Sequence, residues 1–377
     1  MQMRFVPGSS AAVMIGAVAL GLSGAQAAQA VPAVSSAVVV PVACSAAALS
    51  TAITGAVSGE TLRLSRFCTY ALTAALPHIK KTITITGDGA SGNDTIVRAH
   101  SAPDFPIFYV GSNGALTLVH LTLRDGDSAV GGGIYDHGSG ALTILDSTFA
   151  GNRSEEGGAI LSDEDSHVTV TGSTFTGNIA TDGNGGGIHV TGSLTVTGST
   201  FTGNTATDGN GGGLHVNGSL TVSGSTFTSN TATDGGNGGG IHSTGTLTVT
   251  GSTFTGNIAS GEGGAIFTHT GDVASVGASR IAGNKAASNG GGIDTGGPLT
   301  LTGSWLSSNE SGALGGGIYN DDTGTSTVIR TVVTLNGAAG GGGIYNDGAT
   351  VTLTASQVIK NFSDNCEPLN TIAGCAD

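Results

Sequence analysis

The chain has 377 residues and a formal net charge of −14, from 26 acidic and 12 basic residues. That balance argues against nucleic acid or an anionic membrane surface as a partner, because both require clustered Lys and Arg. Only 10% of residues are charged, while 67 are glycine and 38% are apolar; polarity therefore falls to Thr, Ser and Asn, and a β-rich fold is expected.

The chain opens with a basic start, "MQMR", then an apolar run from Ala11 to Ala25 and a small-residue stretch ending at Ala30. This reads as a secretory signal peptide over 1–30, with cleavage after Ala27 or Ala30, each closing an Ala-x-Ala triplet. The run is shorter than the ~20 residues a membrane span needs, and no later segment approaches that length. A secreted protein, extracellular or cell-wall associated, without a membrane span after signal removal, is expected. Residues 31–43 read as a linker.

Residues 44–115 read as a cap and irregular first coils. "CSAAALSTAITGAVSG" (Cys44 to Gly59) carries Ala, Leu and Ile at helical spacing and ends on Gly. An amphipathic cap helix here would cover the open end of a strand stack, whose unpaired edges invite aggregation. "ETLRL", "KTITITGDG" and "DTIVRA" follow as strand-like segments.

Residues 116–361 repeat themselves. The apolar residue closing a "GG-x-I" motif recurs at Ile134, Ile160, Ile188, Leu214, Ile241, Ile266, Ile293, Ile318 and Ile344, at intervals of 25 to 28 residues. An apolar-x-x-Asn motif ends at Asn152, Asn178, Asn204, Asn230, Asn257, Asn284, Asn309, Asn336 and Asn361. Between them runs "LTVT"-type alternation, the mark of a strand with one buried face. Each unit is thus expected to hold three short strands, and no unit can bury its apolar face alone, so units must stack. One unit per turn of a parallel β-helix of about ten or more coils fits, at roughly 4.8 Å per coil. The expected fold class is all-β, a right-handed parallel β-helix with a short N-terminal cap helix.

The pairing of GG-x-I with F-x-x-N resembles the repeats of the chlamydial polymorphic outer-membrane proteins. The whole is similar to the pectin-lyase-like right-handed β-helix superfamily, over Leu116 to Asn361. The resemblance implies the fold; the superfamily spans lyases, glycosidases, adhesins and structural rods, so it does not by itself assign an activity. The tail after Asn361 is too short for an outer-membrane β-barrel, so autotransport is not expected.

Recurrence weighs against most site readings. A phosphate-binding glycine loop must lead into a helix N-terminus, whereas these glycines lead into strands nine times over. The recurring Asn suits an internal ladder that satisfies turn backbone groups. Asp182, Asp208 and Asp234 repeat in "TDGNGGG"-type turns, as solvated turn residues or as a weak Ca²⁺ site. No other cofactor is indicated.

The position after GG-x-I is expected to point outward. It reads Tyr135, Leu161, His189, His215, His242, Phe267, Asp294, Tyr319 and Tyr345. Three successive histidines offer a transition-metal reading, and Tyr135, Tyr319 and Tyr345 a sugar-stacking one; a mixed surface row is the plainer alternative. A threonine column that includes Thr195, Thr221 and Thr248 forms a flat array, suited to an exposed parallel strand and resembling the ice-binding face of β-solenoid antifreeze proteins.

Cys44, Cys68, Cys366 and Cys375 form an even set, one pair near each end, and disulfides are expected. Cys44–Cys68 and Cys366–Cys375 would each fasten one terminus, the latter within a C-terminal tail over 362–377. No convergent catalytic set is visible, and basic residues are scarce. The expected role is therefore a non-catalytic extracellular or cell-surface module of structural or adhesive type, its partner a glycan or a protein surface. A polysaccharide lyase or glycosidase is the first alternative, and a flat-face ice or glycan binder the second.

Overall fold

The computed structural model describes residues 38–89, 94–163, 166–321, 324–368 and 372–375. The signal-peptide segment and residues 31–37 of the linker lie outside them, as do Glu164, Asp165 and Asp322.

All named strand pairings are parallel, and each strand pairs with its equivalent one coil away. The stack forms four sheets of 13, 11, 12 and 8 strands. One coil shows the plan: Ile188–Val190 belongs to the eleven-stranded sheet, Ser193–Thr197 to the thirteen-stranded, Thr200–Thr202 to the twelve-stranded and Thr205–Ala206 to the eight-stranded. Four strands per coil replace the expected three. The extra one is two residues long, too short for alternation to register in sequence.

Within each coil every second side chain enters the lumen. Ile188, Val190, Leu194, Val196 and Phe201 are at most 1% exposed and join one continuous core with their counterparts. Phe149, Phe175, Phe201, Phe227 and Phe254 stack ring on ring, with centroids 4.7 to 4.9 Å apart and planes within 5° of parallel. The coil spacing thus equals an aromatic stacking distance, and one residue type repeated in register fills the lumen.

Polar ladders close the turns. Asn204 Nδ2 donates to Asn230 Oδ1 (2.8 Å) and to the Phe175 carbonyl (3.1 Å), while its Oδ1 accepts from the Asn178 backbone N–H (3.1 Å) and Nδ2 (2.8 Å). The pattern runs from Asn152 to Asn361 through every member of the column. A serine column, with backbone N–H groups of Ser147, Ser173 and Ser199 donating to the hydroxyl of the next coil's serine, does the same at the preceding turn. A second asparagine column links Asn184, Asn210 and Asn237 by side-chain acceptors for backbone N–H groups. The glycines beside it are steric necessities. A Cβ on Gly186 would lie 2.4 Å from the Thr205 carbonyl carbon and 2.5 Å from the Gly212 oxygen, and Gly185 sits at φ +68°.

The helix Ala46–Gly55 starts on Ser45, whose hydroxyl accepts from the Ala48 N–H, and buries Leu49 and Ile53. It packs on the strands Val39–Val42 and Thr69–Leu72, which begin the thirteen- and twelve-stranded sheets. Disulfides join Cys44 to Cys68 and Cys366 to Cys375. The first ties the start of this helix to the coil beneath. Replacing Cys44 and Cys68 by Ser should lower unfolding free energy by about 3 kcal/mol, given a 24-residue separation. Denaturant titration of the variant against the oxidised protein checks this, and an unchanged midpoint would rule it out.

Candidate functional site

The residues after GG-x-I form one register-locked column on the eleven-stranded sheet: Tyr109, Tyr135, Leu161, His189, His215, His242, Phe267, Asp294, Tyr319 and Tyr345. Each is flanked by lumen residues and so lies on the outer side of its strand, as alternation requires. The expectation of an exposed row is corrected for its middle. His189, His215 and His242 are 5%, 5% and 2% exposed, and Leu161, Phe267 and Asp294 are also buried. Strand period tells which side a residue takes, but not whether neighbouring turns fold over it.

Burial governs the protonation of His215 and His242. His189 and His215 rings lie 4.6 Å apart, and His215 and His242 rings 4.7 Å. Desolvation, then the neighbouring His242, His189 and His269, hold His215 well below the usual imidazole range. Desolvation, then the neighbouring His269 and His189, push His242 down to about 3. His215 and His242 are therefore neutral in ordinary media, and the three rings pack as a stack. His189 Nδ1 stands 3.6 Å from Glu156 Oε2, which keeps that carboxyl below its usual range. Among the described residues, no three His, Cys, Asp or Glu side chains are placed to hold a metal ion. Asp182, Asp208 and Asp234 are exposed turn residues, the last two at φ +57° and +53°.

The threonine column is exposed or half-exposed, with Thr195, Thr221 and Thr248 in register. It reaches further back than the repeat does, through Thr117 and Thr84 to Thr61.

The eleven-stranded column opens into two clefts, one at its N-terminal end and one toward its C-terminal end. At the N-terminal end, a cleft of about 300 Å³ is lined by His78, Lys80, Tyr109, Gly111, Asn113 and His137, among others. His78 stacks on Tyr109 at 4.0 Å, and Tyr109 meets Tyr135 edge to face at 5.1 Å. His137 Nδ1 lies 3.0 Å from Asp163 Oδ1, and Tyr135 Oη donates to Asp163 Oδ2 at 2.8 Å. A carboxylate on Nδ1 fixes the tautomer and leaves Nε2 as the basic nitrogen. Tyr135 belongs to the expected surface row, and Asp163 to the acidic run "SDEDSH". Nothing in the sequence linked either to His78, Lys80, Tyr109 or His137, which stand outside the repeat motifs.

Charge is also unevenly distributed. Residues 60–153 hold seven Lys or Arg against eight Asp or Glu, and residues 154–377 four against eighteen. The acidity that argued against anionic partners therefore belongs to the later coils, and the N-terminal cleft sits in a nearly neutral stretch.

Beneath this cleft, Asp136 points into the lumen at 0% exposure, accepting from Ser162 Oγ (2.7 Å) with its Oδ1 unpartnered. Burial pushes its carboxyl up to about 6, against the Ser162 hydrogen bond and with the Asp163 charge. Because the folded state favours the proton, stability from this group is present below pH 4 and is lost as pH rises through about 6. Asp136→Asn should therefore stabilise the protein at pH 7 by up to about 3 kcal/mol, with the gain vanishing near pH 4. Unfolding curves at both pH values test this; an equal difference at each would sink it.

Toward the C-terminal end a cleft of about 230 Å³ is lined by Glu262, His269, Asn289, Asp294, Tyr319 and Asp321, among others. Tyr319 stacks on Tyr345 at 5.6 Å and donates to Asp347 Oδ2 at 2.9 Å.

Among solved structures, the fold is similar to the A-module of the mannuronan C-5 epimerase AlgE6 of Azotobacter vinelandii. The TM-score is 0.49 and identity 14%, over 84% of this chain and 92% of that one. It is also similar to tailspike protein 3 of bacteriophage CBA120, with a TM-score of 0.38 and 12% identity over 86% of this chain and 59% of that one. A comparison with curated proteins finds no match. The family described as the right-handed β-helix region matches residues 107–273 and 158–371, well over half of the chain. Together with two disulfides and four parallel sheets wound in one continuous stack, that match makes the chain a member of the right-handed β-helix family.

Proposed function

We propose that the protein is secreted and acts on a uronate-bearing extracellular polysaccharide at the N-terminal cleft, by proton transfer at the carbon next to the carboxylate. The observation that carries this reading is the Asp163–His137 pair beside a cleft that also presents Tyr109, Lys80 and Asn113. Two disulfides and the absence, among the described residues, of any helix able to cross a membrane agree with an extracellular setting.

Each side chain has a role that follows from its chemistry. Lys80 and Asn113 receive the uronate carboxylate, and neutralising it acidifies the C5 proton. His137 Nε2 takes that proton while Asp163 holds the ring and stabilises the imidazolium. The Tyr109 hydroxyl gives its proton to O4 as the C4–O4 bond breaks, and the electron pair from C5–H forms the C4=C5 double bond. Tyr109, edge-on to Tyr135 and stacked on His78, is held for this task.

The test is incubation of the purified protein with a panel of uronans, following ultraviolet absorbance of unsaturated ends and proton exchange at C5. Appearance of either signal supports the reading; neither, across the panel, overturns it.

A second reading has its own observation. The threonine column on the thirteen-stranded sheet is regular and open to solvent, as a non-catalytic adhesive, structural, glycan-binding or ice-binding face requires. Replacing Thr195, Thr221 and Thr248 by Lys would abolish binding on that face and leave the cleft untouched.

A further inference from the structure

Asp294 occupies an unexpected place. It stands in the outward column between Phe267 and Tyr319, is 4% exposed, and its Oδ2 has no partner. A buried carboxyl oxygen without a hydrogen bond is costly unless something else fills the position. Asp294 lines the C-terminal cleft, beside Glu262 and Asp321.

We propose that this cleft is a second glycan subsite, which takes a sugar residue carrying a protonated primary amine. Three carboxyl groups on one small cavity select a cation. They do not converge as metal ligands do, so the cation they suit is larger than a bare ion and is held by hydrogen bonds from several sides. An ammonium can donate to Asp294 while hydroxyl groups of the same sugar residue reach Glu262 and Asp321. Asn289 fixes Glu262, donating to its Oε1 at 3.2 Å. Tyr319, stacked on Tyr345 and tethered to Asp347, offers a fixed aromatic wall for a pyranose ring. The volume of about 230 Å³ is below the ~300–1,000 Å³ of pockets that enclose drug-sized ligands, which suits one sugar residue.

Burial, and then the charges of Glu262 and Asp321, hold the Asp294 carboxyl well above the usual range. An arriving ammonium supplies the compensating charge, so binding should release a proton from Asp294. The site is independent of the N-terminal cleft: Asp294 and Tyr135 are six strand spacings apart on one sheet, or about 29 Å, with the buried histidine stack between them.

The experiment is calorimetric titration of the whole protein with a glucosamine tetramer and with its fully N-acetylated counterpart, in two buffers of different ionisation enthalpy. The free-amine oligomer should bind at least tenfold more tightly, with proton release. Asp294→Asn and Glu262→Gln should each weaken it at least tenfold. Circular dichroism and the thermal midpoint establish that each variant is folded, and either variant alone suffices for the test. Equal affinity for the acetylated oligomer, undiminished binding by a folded variant, or no binding overturns the proposal. So would a lysine-containing peptide binding as tightly as the tetramer, which would make the site a protein contact instead.

Discussion

Asn204→Ala is expected to destabilise the rod by roughly 4 kcal/mol, one of the largest single effects available in this molecule. The wild-type side chain makes four hydrogen bonds in a position that is 0% exposed. Alanine removes both ends of the amide and leaves the Asn178 N–H, the Phe175 carbonyl and the facing amide atoms of Asn178 and Asn230 short of partners. Each unsatisfied buried group costs about 1–3 kcal/mol, and water has little route to it between stacked coils. Nor is the damage local, because each coil supports only its neighbours and a weakened interface lowers the cooperativity of the array. Guanidinium unfolding should show a lowered midpoint and a shallower or split transition. Asn361→Ala, at the half-buried end of the ladder, should cost less, since only one side of it is stacked against a full coil. If both substitutions cost the same small amount, the ladder is ornament and the core alone holds the stack.

The coil itself was legible because its determinants are local and repeated. GG-x-I, the alternating segment and F-x-x-N place the lumen residues from Ile134 to Ile344 and the Asn column, with Phe175 on Phe201 following from register alone. What escaped reading was whatever lacked a pattern of its own. The two-residue strand Thr205–Ala206 is shorter than any periodicity. The column Asn184, Asn210 and Asn237 was hidden inside turns that read as solvated loops. His215 was placed on the correct side of its strand and still misjudged, because burial there comes from turns packing over the strand. The N-terminal cleft was least legible. His78, Lys80 and Asn113 come from irregular coils, where no alignment to a neighbour exists. Tyr135 reads only as a surface aromatic, and Asp163, 28 residues further on, belongs to no repeated motif. The N-terminal cleft forms where the repeat lapses, and the repeat is what made the rest readable.

The second large effect concerns that cleft. On a uronan substrate, His137→Ala should reduce turnover by about 10²–10⁴-fold, the contribution of a positioned general base, with KM nearly unchanged. Asp163→Asn should cost roughly 10–100-fold, because the ring loses the acceptor that sets its tautomer while Nε2 stays in place. Lys80→Ala should instead raise KM, and Lys80→Arg should recover part of the loss, since the cation meets the carboxylate in ground and transition state alike. Lys80 and His78 are exposed and the pair His137–Asp163 is half-exposed, so folding should survive each change. That makes the kinetic pattern diagnostic: a base, its orienting carboxylate and a carboxylate clamp predict three different signatures from one cleft. A His137→Ala protein retaining more than a tenth of wild-type turnover would remove the cleft from the chemistry. Activity lost equally in all variants, with KM and turnover moving together, would show that the substitutions disturb the coil and would leave the general-base assignment refuted.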